Sequence, residues 1–455
     1  MPSDASGPIC PVEFRYGREK VRSLFSREAR LARALRVEGA LALAESEVGL
    51  VPVEAARAIA KAASDGSVDL ARVDELEREL RHDVMAITRA LAERSGPGGP
   101  WVHFGATSND ITDTALALEL QEAVGVLRTD LTELARRLIG QARRYRDTPE
   151  VGRTHGQHAV PLSFGYKMAV AAAEVMRHRD RLDQLAPRLA VGKMSGAVGT
   201  GASFGPGAAR LEARVMERLG LTADEAPTQV VGRDRIAEFT NLLALIAGTA
   251  ERLSTEVRNL QRTEIAEVAE WFDEAHQVGS STMAQKRNPM LSENVSSLAR
   301  LVRAFALPPL ENIALWHERD LTNSANERIV LPHAVVLTDD ILTKLTEVFD
   351  KLVVDEARMA QNLATSGSAT MSEALMLALT RRGLPRSGAH ELLRGLTRDL
   401  GPGDDLKKRA KGSREVTRWI PAPELDRLLD TTPYVEAAAR KTDVVVRALS
   451  KRLGR

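Results

Sequence analysis

Aromatic residues are scarce in this 455-residue chain, Phe, Trp and Tyr together making up 4%. Strand signals are correspondingly few. Cys10 is the single cysteine, which excludes an internal disulfide and any metal cluster of the cysteine type. Neither sign of charge is in excess, 63 Lys+Arg standing against 62 Asp+Glu, so the chain has no basic footprint for nucleic acid. No apolar run reaches the roughly 20 residues of a membrane span, and Met1 to Pro11 lacks the apolar core of a signal peptide. A soluble cytoplasmic protein without nucleic-acid or membrane partners is expected. A nucleotide loop is missing as well. Gly192–Gly201 is glycine-rich but matches neither GxxxxGKS/T nor GxGxxG, and no βαβ pattern surrounds it. It reads as a tight connection between long helices.

What the chain does have is Ala, Leu, Glu and Arg, with apolar residues recurring every three or four positions over unusual lengths. One series runs Leu116, Leu120, Val124, Leu127, Leu131, Leu134, Leu138; a second runs Phe239, Leu243, Ile246, Ala250, Leu253, Val257, Leu260. At about 1.5 Å per residue each predicts a helix of roughly 45 Å or more. Helices that long need long partners, and the Leu242–Ile246 run is apolar round most of its circumference. A helical bundle shared between subunits satisfies both observations; a monomeric bundle is the alternative. Further helices are predicted from near Val21 to about Gly105, broken by a turn at Gly49–Pro52, then from Pro332 to Leu363, Met371 to Arg382 and Ser387 to Leu400. The basic stretch Lys407–Lys411 reads as a solvated loop. At this length two or three domains are expected, placed at 1–107, 108–354 and 355–455.

Polar groups concentrate in four segments: Arg81-His82-Asp83, His103 to Asp110, Gly152 to His158, and the loop Gly279-Ser280-Ser281-Thr282-Met283-Ala284-Gln285-Lys286-Arg287-Asn288-Pro289, continued by Ser292-Glu293-Asn294. The loop packs a serine, a lysine and an asparagine into nine residues. Those are the parts needed to take a proton from the carbon next to a carboxylate. Such a step builds a doubly charged aci-carboxylate, which fixed cations and amides must meet as it forms. An imidazole is matched to donating a proton near neutral pH. Each segment also has a plainer reading: His82 and His103 as ordinary histidines, Thr107 or Ser108 as helix caps, Lys286 and Arg287 as solvated charges. Their joint occurrence carries the argument.

These segments, with Arg15-Tyr16, Trp101 to Gly105, Ser195 to Thr200, Thr228-Gln229 and Trp316 to Arg328, resemble the fumarase/aspartase superfamily and, within it, the adenylosuccinate lyase branch. The resemblance spans most of the chain. It implies an all-α, three-domain subunit whose long central helices join those of three others in a tetrameric bundle, each active site drawing on three chains. It implies a carbon–nitrogen lyase releasing fumarate from adenylosuccinate, giving AMP, and from succinylaminoimidazole carboxamide ribotide, with no metal or organic cofactor. By the same resemblance Ser280 is the general base and His155 the general acid, oriented by Glu293, with His82 assisting. Thr107, Ser108, Lys286 and Asn288 hold the succinyl carboxylates. Arg15, Tyr16, Arg319, Ser324 and Arg328 hold phosphate and ribose, and Gln229 and His103 lie beside the purine-like group. Arg81, Asp83 and Met283 complete the expected substrate contacts.

The chain departs from the branch's usual pattern at Ala284-Gln285, where Pro-His is common, and at Ile236, Ala325-Asn326 and Leu162-Ser163. None of these is a proton-transfer group, but several bear on the leaving group. A paralogue eliminating fumarate from another succinyl or nitrosuccinate-like compound is therefore the alternative enzyme. A scaffold reusing the helical tetramer is the non-enzymatic alternative, against which the intact Ser280, His155, Lys286 and Glu293 set argues.

Overall fold

A computed structural model describes residues 9–279, 282–283, 285–401 and 404–454. The fold is all-α, and its long helices follow the apolar periodicity. The first series lies on Ser108–Arg144, of 37 residues, and the second on Asp234–Leu260, of 27. Leu120, Val124, Leu127, Leu131, Leu134 and Leu138 are buried, as is every member of the second series. Among the described residues, Phe164–Leu189, Ser324–Asp350 and Thr432–Leu453 are the other helices longer than twenty residues after Gly105. Before it, Arg27–Glu47 is followed by Val53–Ser64, Leu70–Leu80 and Asp83–Arg94.

The chain divides into two compact units. One gathers the residues up to Leu131 with His178–Ala250 and Ser297–Thr343; the other gathers Thr132–Arg177, Glu251–Ser296 and Lys344–Arg455. In the first, Val37, Leu41 and Ala44 pack with Leu118, Met194, Phe204 and Leu211, and a second cluster centres on Ile59, Leu76 and Leu91. In the second, Met371, Leu375, Leu379, Ile420 and Leu425 form the core of the C-terminal segment.

Strands among the described residues form three two-stranded pairs. Pro149–Thr154 and Gln157–Ser163 make an antiparallel hairpin; Val191–Gly192 pairs in parallel with Thr222–Ala223, and Val268–Ala269 antiparallel with Val353–Val354. Three expectations need correction. The basic stretch Lys407–Lys411 is helical, within Leu406–Gly412: Asp405 accepts a hydrogen bond from the Lys407 N–H at 3.0 Å, and Leu406 and Ala410, one turn apart, are buried. The predicted helix from Pro332 to Leu363 begins earlier and is broken. Ser324–Asp350 ends before the Val353–Val354 strand, and Glu356–Thr365 restarts under an Asp355 cap. Gly192–Gly201 does not join two long helices: after left-handed Gly196, Gly199 and Gly201 it leads through a 3-10 turn to the 12-residue helix Ala208–Leu219.

Candidate functional site

Local backbone strain marks the motif segments. Among the described residues five non-glycine positions have positive φ: Arg81 (54°), His103 (61°), His155 (55°), Ala266 (52°) and His317 (51°). Four of the five lie in segments singled out from the sequence. A left-handed side chain costs roughly 1–2 kcal/mol, and such residues cluster where function sets the geometry.

In the first unit a cavity of about 900 Å³ is lined by Arg81, His82, Asp83, Ser108, Arg319, Ser324 and Arg328. Arg81 is the left-handed cap ending Leu70–Leu80. His82 caps Asp83–Arg94, its Nδ1 accepting from the Met85 N–H at 3.3 Å. Arg328 reaches Asp83 at 2.6 Å, and Arg319 donates to the Gln229 side-chain oxygen at 2.7 Å. Gln229 in turn donates to the Ala197 carbonyl at 2.8 Å. The same wall also carries carboxylates, among them Asp83, Asp320 and Glu327, and its guanidinium groups suit an anionic, phosphate-like group. Thr107 and Ser108 open the longest helix: Asp110 accepts from the Thr107 N–H at 2.8 Å, one half of a capping box. The helix-capping reading of this segment and its carboxylate-binding reading are compatible, since a helix N-terminus also attracts anions.

His103 does not line that cavity. Its Nδ1 lies 2.6 Å from the carboxylate of Glu38, a buried residue of Arg27–Glu47. Burial is the largest single influence and works against charge on the imidazole, but the Glu38 hydrogen bond, the Glu38 charge and the charge of Asp110 together outweigh it and raise the pKa above its ordinary value. Arg15 and Tyr16 also lie outside the cavity's lining; the next residue, Gly17, donates to Asp340 at 3.0 Å. At Gly17 a Cβ would come within 2.2 Å of Val336.

The second unit carries the rest. His155 and Gly156 (φ 73°) are the two central residues of the hairpin turn, between paired Thr154 and Gln157. Consecutive positive φ values there match a type I′ turn, so the imidazole is presented at an exposed tip. Beneath it, Arg153 makes paired hydrogen bonds to buried Glu267 at 2.8 and 2.7 Å, and Asn362 donates to the same carboxylate at 2.8 Å. On the returning strand His158 meets the Ser366 hydroxyl at 2.7 Å. Burial pushes Glu150, on the outgoing strand, up to about 7 although Lys167 stands 2.7 Å away.

Ser280 and Ala284 lie outside the described residues. Around them the loop is closed at its base. Asn288 donates to the Gly279 carbonyl at 2.9 Å, and the Lys286 N–H donates to Met283 at 3.1 Å. A Cβ on Gly279 would come within 2.1 Å of the Lys286 carbonyl. Lys286 and Met283 are exposed. Glu293 is exposed in the first turn of Met290–Ala304, whose N-terminal N–H groups on Leu291 and Ser292 are taken by Glu270. Among the described residues no hydrogen bond joins His155 to Glu293.

Several partnerships that organise these segments carried no sequence signal. Buried Asp110 accepts from the Lys193 ammonium and from the Ser195 and Gly196 N–H groups, tying Gly192–Gly201 to the start of the long helix. Asp113 takes paired bonds from Arg233 at 2.8 and 2.9 Å, and Arg233 also reaches Glu327 at 3.0 Å. Of the atypical positions, Ile236 is buried, and Asn326 exchanges amide hydrogen bonds with Asn312 at 2.7 and 2.8 Å.

Comparison with known proteins agrees along the chain. Residues 13–304 match a family model described as lyase, and residues 369–445 match that of the adenylosuccinate lyase C-terminus. An adenylosuccinate lyase from Methanothermobacter thermautotrophicus is 44% identical over 445 residues, covering 97% of this chain and 99% of the relative. That from Pyrococcus horikoshii is 45% identical over 421 residues, 92% of this chain and 93% of its own. Among solved structures, a fumarate lyase from Mesorhizobium sp. BNC1 superimposes with a TM-score of 0.85 at 29% identity, covering 94% of this chain and 98% of that one. A 3-carboxy-cis,cis-muconate lactonizing enzyme from Pseudomonas putida does so at 0.85 and 32%, covering 97% and 98%. With identity this high over nearly full length, the chain belongs to the adenylosuccinate lyase family of lyases.

Proposed function

We propose that the protein cleaves a carbon–nitrogen bond, releasing fumarate from adenylosuccinate to leave AMP, and doing the same to succinylaminoimidazole carboxamide ribotide in purine biosynthesis. The observation that carries this reading is the 44% identity spread over 97% of the chain. The arginine-lined cavity supports it, since both substrates bear a phosphate.

In the proposed sequence Ser280 takes the proton from the carbon beside a succinyl carboxylate. Lys286, Asn288, Thr107 and Ser108 meet the negative charge that builds on that carboxylate. The C–N bond then breaks and His155 protonates the departing nitrogen, with Glu293 and His82 supporting the transfer. Gln229, Arg319, Ser324 and Arg328, with Arg15, Tyr16, Arg81, Asp83, His103 and Met283, hold the remainder of the substrate. This chemistry calls for no cofactor. We take the working form to be a cytoplasmic homotetramer of three-domain subunits (1–107, 108–354, 355–455) in which three chains complete each site. Exposed apolar side chains at Leu245, Leu301, Leu307, Leu310, Ile313 and Ile329 support further burial between subunits; light scattering tests the tetramer. The function is tested by supplying adenylosuccinate and measuring fumarate and AMP. Release of both is expected. No release from either purine compound, with turnover of a different succinyl compound, would instead favour the paralogue suggested by Gln285 and Ala325.

A further inference from the structure

His103 is held unlike any other histidine of the expected site. Its backbone is left-handed, its Nδ1 lies 2.6 Å from the Glu38 carboxylate, and Glu38 is buried. A carboxylate only accepts, so the proton of that bond sits on Nδ1. Nε2 has no hydrogen-bond partner among the described residues, and part of the ring stays exposed. With Nδ1–H fixed, the charge of the ring decides what Nε2 offers: a lone pair when neutral, a donor when protonated. The charged groups around it are few. Glu38 faces it from Arg27–Glu47, and Asp110 acts on it from Ser108–Arg144 while paired with Lys193. Seven residues beyond Glu38, Glu45 is fully buried with neither carboxylate oxygen hydrogen-bonded.

We propose that Glu38 is a positioning residue that fixes the tautomer and charge of His103, so that Nε2–H is presented as a donor to an acceptor on the purine-like part of the substrate. The inference rests on the assignment of His103 to that part of the substrate. The raised imidazole pKa agrees with the geometry. A Glu38→Gln change keeps the shape and an accepting oxygen but removes the charge, so Nε2 loses its proton at lower pH and offers a lone pair where it had been a donor.

The test combines histidine-labelled NMR with kinetics, His103→Asn identifying the His103 signal. In the unaltered protein His103 should show the Nδ1–H tautomer and titrate above 6.5. In Glu38→Gln its midpoint should fall by about one unit or more, and KM for adenylosuccinate should rise about 10-fold or more with a smaller change in kcat. An unchanged midpoint and KM, with only a lowered Tm, would reduce Glu38 to a structural role and overturn the proposal. Should Glu38→Gln fail to fold, the unaltered protein still decides, because an Nε2–H tautomer or a midpoint below 6.5 overturns it. Absence of fumarate release by the unaltered protein would count against the lyase reading, and the titration would still decide for or against Glu38.

Discussion

His103 and His155 stand in two turns with left-handed backbone, one in each unit, and the turns differ in what surrounds them. At Gly105, two residues after His103, an added Cβ would meet the Phe204 ring at 2.8 Å. At Gly156, next to His155, it would meet nothing within 4 Å. His103 is clamped through its side chain to Glu38. Among the described residues His155 has no such clamp, and the strand that carries it is anchored instead by Arg153 on Glu267. One imidazole is therefore oriented from its ring, the other from its backbone. A ring held by a buried carboxylate keeps one tautomer; a ring at an open tip stays free to approach a substrate and exchange its proton.

The largest effect should come from His155→Ala, lowering kcat by about 10²–10⁴-fold while leaving Tm nearly unchanged, as steady-state kinetics and calorimetry would show. A comparable loss of Tm would contradict the open-tip description. Glu267→Ala should act the other way round. It strands the Arg153 guanidinium, and breaking a buried pair costs about 3–5 kcal/mol, measurable by denaturant unfolding. Gly105→Ala should cost about 2–5 kcal/mol, because left-handed backbone and an overpacked ring both count. Gly156→Ala should cost only about 1–2 kcal/mol. Equal losses at the two glycines would erase the distinction between packed and open turns.

The last effect is a slope with pH rather than a single loss. Burial, then the charge of Glu38, push Glu45 up to about 9 from 4.5, so the folded state keeps a proton that the unfolded chain releases. Its stabilising share is complete below about pH 4.5 and is lost as pH rises toward about 9. Glu45→Gln should match the unaltered protein at low pH and gain on it by at most about 1.4 kcal/mol per pH unit across that window. Melting curves at several pH values would show parallel behaviour if Glu45 ionises normally.

Legibility followed the range of the interactions involved. The long helices were readable because Leu120 to Leu138 and Phe239 to Leu260 repeat with the helical period. The Gly279–Pro289 string stands out because its serine, lysine and asparagine are close together along the chain. The Arg153 strand was not readable: a six-residue strand with Pro149, Gly152 and three polar residues offers no clean alternation. Nor was the Lys407–Lys411 helix, whose charges hide the spacing of Leu406 and Ala410. Pairs such as Asp110 with Lys193, or Glu38 with His103, join residues 83 and 65 positions apart. No periodicity encodes those partnerships.

By itself, then, the order of residues determined the helical architecture and the inventory of acids, bases and amides, because period and residue type are properties of neighbours along the chain. Tertiary structure alone decided which carboxylate faces which imidazole, and hence that His103 is held toward the charged form and Glu45 toward the neutral one. Desolvation and partner charge set protonation, and both depend on groups that only folding brings within a few ångströms.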